Sequence, residues 1–135
     1  MQELQEIDWL KLPETPAGYT HAFQSFVCMF QPGKPTLQNS MAWRQQRDAL
    51  LQALEEQGIM TRPGTLAVPL VGYYRKKYGY RPEQFPNAYL AENLSFALPL
   101  FPQMTDDEQH FVVQALKDLK VTRTLKAKIT SNFGE

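Results

Sequence analysis

Ten prolines, spread from Pro13 to Pro102, limit the fold of this chain more than any other feature. Each locks its own φ, removes a backbone donor and pushes the preceding residue out of the helical region, so a regular element tends to stop where one falls. Because they are scattered, they act as punctuation between short segments and form no proline-rich tract. There is no internal repeat and no low-complexity stretch. A chain of 135 residues divided in this way reads as one domain of ordinary size.

Hydrophobic residues make up 43% of the chain and charged residues 21%, which suits a packed globule and argues against wholesale disorder. Acidic and basic side chains balance to a net charge of zero, which points away from nucleic acid and from an anionic membrane as partners. The single cysteine, Cys28, has no internal disulfide partner and lies in an apolar run, where it reads as a small buried hydrophobe. The first residues lack a secretory pattern, and no apolar run approaches the ~20 residues needed to cross a bilayer. The expected setting is the cytoplasm.

Residues 2–12 read as a frayed helix, a remnant of a longer one, or a linker, stopped by Pro13 and Pro16. Residues 21–30 are aromatic and apolar and end in Pro32-Gly33, the signature of a buried strand and a turn. Ser40 is the expected cap of a helix reaching about Gln57, with Trp43, Arg47, Leu50, Leu51 and Leu54 on one face and Gly58 as its left-handed stop. Residues 59–61 read as a short extended piece before the Pro63-Gly64 turn. Leu70, Val71, Tyr74 and Tyr78 predict a further helix ended by Gly79, and Pro86 suits the first turn of one reaching Asn93. Residues 95–100 form a second strand candidate. Thr105-Asp106-Asp107-Glu108 has capping-box spacing, with Phe111, Val112, Ala115, Leu116 and Leu119 as the apolar face behind it. Beyond Val121 the tail carries Arg123, Lys126 and Lys128 against Glu135, and is expected to be a solvated helix end.

Short strands interleaved with helices predict a small α/β layer fold: a modest sheet of two or three strands with helices packed on one face. The expected division is residues 1–12 as an N-terminal helical remnant or linker, 13–120 as the domain, and 121–135 as a polar, basic tail.

Catalytic patterns are scarce. The two histidines, His21 and His110, form no hydrolase triad, no Gly-x-Ser-x-Gly elbow is present, and His110 falls on the solvated side of its helix. No metal-ligand spacing and no glycine-rich phosphate loop occurs, so neither a metal nor a catalytic residue is assigned. The densest polar-aromatic patch runs from Tyr73 to Arg81. It reads either as an amphipathic helix with Tyr74 and Tyr78 inward, or as a surface that stacks on a base or sugar while its cations meet phosphate.

Several strings follow one another in a telling order: Pro16-Ala17-Gly18, His21-Ala22-Phe23-Gln24-Ser25-Phe26-Val27, Arg44 with Arg47-Asp48, and Gly58-Ile59-Met60-Thr61-Arg62. Tyr73-Tyr74, Phe85-Pro86-Asn87-Ala88 and Leu98-Pro99-Leu100-Phe101-Pro102-Gln103-Met104-Thr105 come after. Over residues 12–119 this order resembles the C-terminal portion of the DegT/DnrJ/EryC1/StrS sugar aminotransferases, of the fold-type I pyridoxal-phosphate (PLP) group.

The resemblance implies a small α+β domain with a two- to three-stranded, mainly antiparallel sheet, which packs on a large PLP-binding domain, in the same or a separate chain, and helps close its active site. It implies a homodimer in full-length form and amino transfer from glutamate to a keto-sugar carried on a nucleotide. That chemistry needs a Schiff-base lysine and a phosphate cup. The family's lysine lies in a Ser-Phe-x-x-x-Lys type motif upstream of this region, and neither Ser25-Phe26 nor Ser95-Phe96 leads to a lysine at the required place. PLP is thus expected of the full-length enzyme and not of this chain alone, which should be inactive by itself. The substrate-facing candidates are Arg62, whose guanidinium can hold a carboxylate or phosphate, together with His21, Tyr73 and Tyr74. Many members have a histidine four residues before the Tyr-Tyr pair, where this chain has Pro69, a departure that marks a different substrate or a homologue that no longer catalyses. The competing expectation is a stand-alone, non-catalytic interaction or ligand-binding module derived from the same domain.

Overall fold

The computed structural model describes residues 2–119. Four strands, β1 (Leu10–Lys11), β2 (Phe26–Phe30), β3 (Arg62–Pro63) and β4 (Ser95–Leu98), form one antiparallel sheet in the order β1-β2-β4-β3. Four α-helices accompany it: α1 (Leu37–Glu55), α2 (Gly72–Tyr78), α3 (Pro86–Leu94) and α4 (Asp106–Asp118). The expected α/β architecture is present, with the two-residue edge strands bringing the sheet to four.

The central pair carries the core. On β2, Phe26, Cys28 and Phe30 are buried while Val27 and Met29 are half-buried, the period-2 alternation of a strand with one face inward. Register sets Phe26 opposite Leu98 and Cys28 opposite Phe96, so the apolar faces of β2 and β4 coincide. Leu50 and Leu54 of α1 and Val112, Ala115 and Leu116 of α4 pack on that face. Truncating a fully enclosed member such as Leu54, Phe96 or Leu116 to alanine is expected to cost ~2–5 kcal/mol. Helix α3 lies against α1. The junction of α3 with β4 is held by Arg47, which is 7% exposed and donates to the carbonyls of Glu92 and Ser95 at 3.0 Å each. Its Nε also donates to Asp48 at 3.0 Å.

Several local expectations change. Residues 2–12 are not a frayed helix: a 3-10 turn, Gln2–Glu6, leads into β1, and Leu4, Ile7, Trp9 and Leu10 are buried in the core. Of residues 21–30 only Phe26–Phe30 pair, and β4 stops at Leu98 because Pro99 has no N–H to continue the ladder. Helix α1 is capped by Thr36, not Ser40. Thr36 Oγ1 accepts the Asn39 N–H at 3.2 Å and Asn39 Oδ1 accepts the Thr36 N–H at 2.8 Å, so two orphan donors are met one turn earlier. Ser40 is buried, and its hydroxyl donates to the Leu37 carbonyl. Gly58 and Gly79 take the left-handed conformation at φ of 80° and 67°, where a helix stop is expected. Tyr74 and Tyr78 are not inward, being 38% and 53% exposed. Phe111 is 51% exposed, because the stripe on α4 is Val112, Ala115 and Leu116 and Phe111 falls about 100° to its side. The tail 121–135 lies outside the described residues. Among the described residues, no helix is long and apolar enough to cross a membrane.

Candidate functional site

One end of the sheet gathers the start of β2, the end of β4 and the edge strand β3. Arg62 pairs with Ala97, which in turn pairs with Val27, so Arg62 stands two strands across from the opening of β2. Both residues of β3 are exposed, and the Arg62 guanidinium makes no ion pair among the described residues. Proline in β3 is tolerated because the strand is at an edge.

Just before β2 the chain makes a turn that sequence reasoning missed. Phe23 adopts φ of +47°, a left-handed conformation that an aromatic residue seldom takes. Its N–H donates to Nδ1 of His21 at 2.8 Å, and its ring lies 4.3 Å from the imidazole and 6.1 Å from Phe26. An Nδ1 that accepts a bond leaves the neutral ring's proton on Nε2, so this exposed histidine presents a donor outward. A strained backbone held by its own side chains is a feature that concentrates at functional sites. No sequence signal marks it, since Phe23 is an ordinary strand former.

The tyrosines form a second surface. Tyr73 meets Tyr74 edge-on at 5.3 Å, Tyr74 stacks on Tyr78 at 6.3 Å, Tyr78 on Tyr80 at 5.3 Å, and Tyr80 meets Phe85 at 5.0 Å. Helix α2 is too short to present a core stripe, so its rings pack on one another at the surface. Lys77 lies over the Tyr73 and Tyr78 rings at 5.4 and 5.3 Å and donates to the Tyr73 hydroxyl at 3.2 Å. This cation is therefore engaged within the ladder. Arg75 lines a hollow shared with Arg44, Tyr89, Glu92 and Asn93. The structure thus brings Tyr73 and Tyr74 into contact and places Arg62 and the His21 turn at one end of the sheet.

The remaining chemistry-bearing groups sit in plain surroundings. Burial pushes the Cys28 thiol up to about 12, so it stays protonated and unreactive. His110 is exposed, 3.7 Å from Glu3. Among the described residues no cluster of three or more His, Cys, Asp or Glu side chains could hold a metal. Lys11, Lys34, Lys76 and Lys77 are exposed. Lys117 bonds to Glu6 at 2.8 Å, and that bond, with the nearby Glu3, raises its pKa. A Schiff-base lysine needs the reverse, a desolvated amine with a lowered pKa. The described lysines therefore do not fit a covalent PLP site.

The model of the DegT/DnrJ/EryC1/StrS aminotransferase family matches residues 1–117. The chain belongs to this family. An uncharacterized protein of Methanocaldococcus jannaschii is 29% identical over 118 residues, 87% of this chain and 28% of the relative. The spore coat polysaccharide biosynthesis protein SpsC of Bacillus subtilis is 35% identical over 54% of this chain and 19% of its own. The UDP-N-acetyl-3-dehydro-alpha-D-glucosamine 3-aminotransferase of Acidithiobacillus ferrooxidans is 32% identical over 73% of this chain and 22% of its own. The chain thus spans between 19% and 28% of the length of these curated relatives. Its fold matches a part of the aminotransferase TlmJ of Streptoalloteichus hindustanus, with a TM-score of 0.66 at 22% identity over 86% of this chain and 27% of that one. The Streptococcus pneumoniae protein Spr1654 in its PLP form gives 0.65 at 17% identity, over 95% and 31%. Within this DegT-family domain, the strings that carried the resemblance fall on β2, α1, the approach to β3, α2, the start of α3 and the β4–α4 connection.

Proposed function

We propose that this DegT-family chain acts as the C-terminal small domain of a PLP-dependent nucleotide-sugar aminotransferase, seated against a cofactor-binding portion that supplies the lysine and the phosphate cup. The observation that carries the reading is the family match over residues 1–117 in a chain whose described lysines are all unsuited to a Schiff base. When bound to the other portion, PLP would supply the electron sink for amino transfer from glutamate to a keto-sugar. This chain's residues would bind and enclose. Arg62, on an exposed edge strand, offers a two-pronged donor for the donor carboxylate or a sugar-nucleotide phosphate. His21 offers its Nε2–H from a turn fixed by Phe23, and Tyr73 and Tyr74 offer flat faces for a sugar or base. Pro69, at N1/N2 of the short 3-10 turn Val68–Leu70, stands where the family's usual histidine would give a polar contact, and this reading assigns the substrate a different partner there. The protein is placed in the cytoplasm, as a homodimer once complete, where a buried free thiol such as Cys28 is at home.

The isolated chain tests this directly. Incubated with equimolar PLP and reduced with borohydride, it is expected to stay unlabelled by intact mass and to make no 2-oxoglutarate from glutamate. A single stoichiometric pyridoxyl adduct, with turnover, would overturn the assignment of the lysine to another portion.

A further inference from the structure

Where α1 and α3 pack together, they share with α2 a hollow of about 300 Å³. Its polar lining is Arg44 from α1, Arg75 from α2, and Tyr89, Glu92 and Asn93 from α3. Leu70 and Pro82, both half-buried, make up part of the remaining wall and lower the local dielectric.

Two of the charged groups are set in place by buried partners. Asn93 is 1% exposed; its Nδ2 donates to the Tyr89 carbonyl at 2.7 Å, and its Oδ1 accepts from Arg44 Nη1 at 3.0 Å. That grip leaves Nη2 of Arg44 without a partner among the described residues. The carboxylate nearest its Nε, Asp48 at 3.7 Å, is itself bonded to Arg47. Glu92 Oε2 accepts the N–H of the buried Ala67 at 3.2 Å, while its Oε1 has no partner among the described residues. Arg75 enters no ion pair among the described residues.

The wall thus presents two guanidinium groups and one carboxylate. A pair of guanidinium groups suits a tetrahedral oxyanion, and the carboxylate decides which one. An ionised Glu92 accepts and cannot donate, so an anion seated against it must carry a proton of its own. Inorganic phosphate keeps a P–OH at neutral pH. Sulfate does not, and a phosphate monoester, with a second pKa of about 6, mostly does not. We propose that this hollow binds inorganic phosphate, with Arg44 and Arg75 on its anionic oxygens and its P–OH donated to Glu92. The ion then joins α1 to α2 through their arginines and steadies the helix that carries Tyr73, Tyr74 and Tyr78. None of the substrate-facing candidates lines the hollow, and the inference does not rest on the proposed function.

Calorimetric titration of the full chain with sodium phosphate, at pH 7 and an ionic strength held constant with chloride, tests it. Saturable binding of one phosphate per chain is expected, with sulfate weaker by ~10-fold or more, since it leaves the Glu92 carboxylate unmatched. Arg75→Gln should weaken phosphate ~5- to 10-fold and leave the urea midpoint unchanged, because its guanidinium pairs with nothing in the described fold. In Glu92→Gln the amide oxygen can serve Ala67 and the NH2 group becomes a donor to the hollow, so sulfate should approach phosphate in affinity. Glucose 1-phosphate should bind less tightly than the free ion. No saturable phosphate binding would overturn the proposal, as would an Arg75→Gln chain that binds phosphate as tightly as the parent. Sulfate or glucose 1-phosphate binding the parent as tightly as phosphate would also overturn it, leaving a site for any oxyanion in the first case and for a monoester in the second.

Discussion

At Gly64 the sheet leaves no room for a side chain: a Cβ would lie 2.6 Å from Ser95 Cβ and 2.8 Å from Val27 Cγ1. Gly64→Ala is therefore expected to lower stability by ~1–3 kcal/mol through overpacking, read as a shifted urea midpoint with an unchanged slope. The same corner holds the buried Ser95 hydroxyl, which has no hydrogen-bond partner among the described residues. Ser95→Ala removes that orphan and should be neutral or stabilising by up to ~1 kcal/mol in the same titration. A clear loss of stability would mean that the hydroxyl has a partner in solution. Cys28 was legible as a buried hydrophobe from its apolar neighbours, and its chemistry follows. The folded thiol titrates near 12 against an ordinary value of 9.0, so its contribution to stability is intact below pH 9 and is lost as pH rises from there toward 12. At pH 8 iodoacetamide should label it only after unfolding, checked by mass with and without urea. Phe23 was not legible, because a left-handed aromatic is held by a neighbouring imidazole and no propensity announces that pairing.

At the scale of elements, the reliability of the sequence tracked whether a segment's stabilising contacts are local. The box of Thr105 and Glu108 is local and was readable: Thr105 Oγ1 accepts the Glu108 N–H at 3.2 Å, and Glu108 accepts the Thr105 N–H at 2.7 Å. Thr105→Ala should cost ~1 kcal/mol, measured by thermal or urea unfolding. The two bonds from Thr105 hold Glu108 below its ordinary 4.5, so their contribution is present above that pH and is lost as pH falls through the lower folded value. Acid unfolding of Thr105→Ala should accordingly show a weaker dependence on pH than that of the parent. The equivalent box on α1 was missed because its third position is Asn39, where the usual partner is Glu or Gln. Elements fixed by distant partners were less legible. Strand β1 exists because Leu10 and Lys11 meet Phe30 and Met29, and β3 because Arg62 and Pro63 meet Ala97 and Phe96, pairings that no local pattern contains. The tyrosines of α2 misled for a related reason. Tyr74 and Tyr78 have inward spacing, yet a helix of seven residues with no apolar stripe beside it leaves them to stack on their own neighbours.

For the whole molecule, the family fold was legible because the resemblance rests on the order of several strings, and those strings fall on successive elements of one antiparallel sheet and its helices. The candidate site was legible only in part. Arg62 and His21 do occupy one end of the sheet, but the groove that Phe23 helps line is built from Leu4, Phe26, Leu98, Met104 and Val112, which are far apart in sequence. The central claim is that this domain works against a cofactor-binding portion it does not itself contain. The most direct measurement is the denaturing intact mass of the native polypeptide from its source cells, after borohydride fixation of any bound pyridoxal. The account predicts that pyridoxyl label appears on a polypeptide several times heavier, or on a separate chain that co-purifies with this one. A native polypeptide of 15.6 kDa that co-purifies with no labelled chain would contradict it, leaving a stand-alone module with no part in transamination.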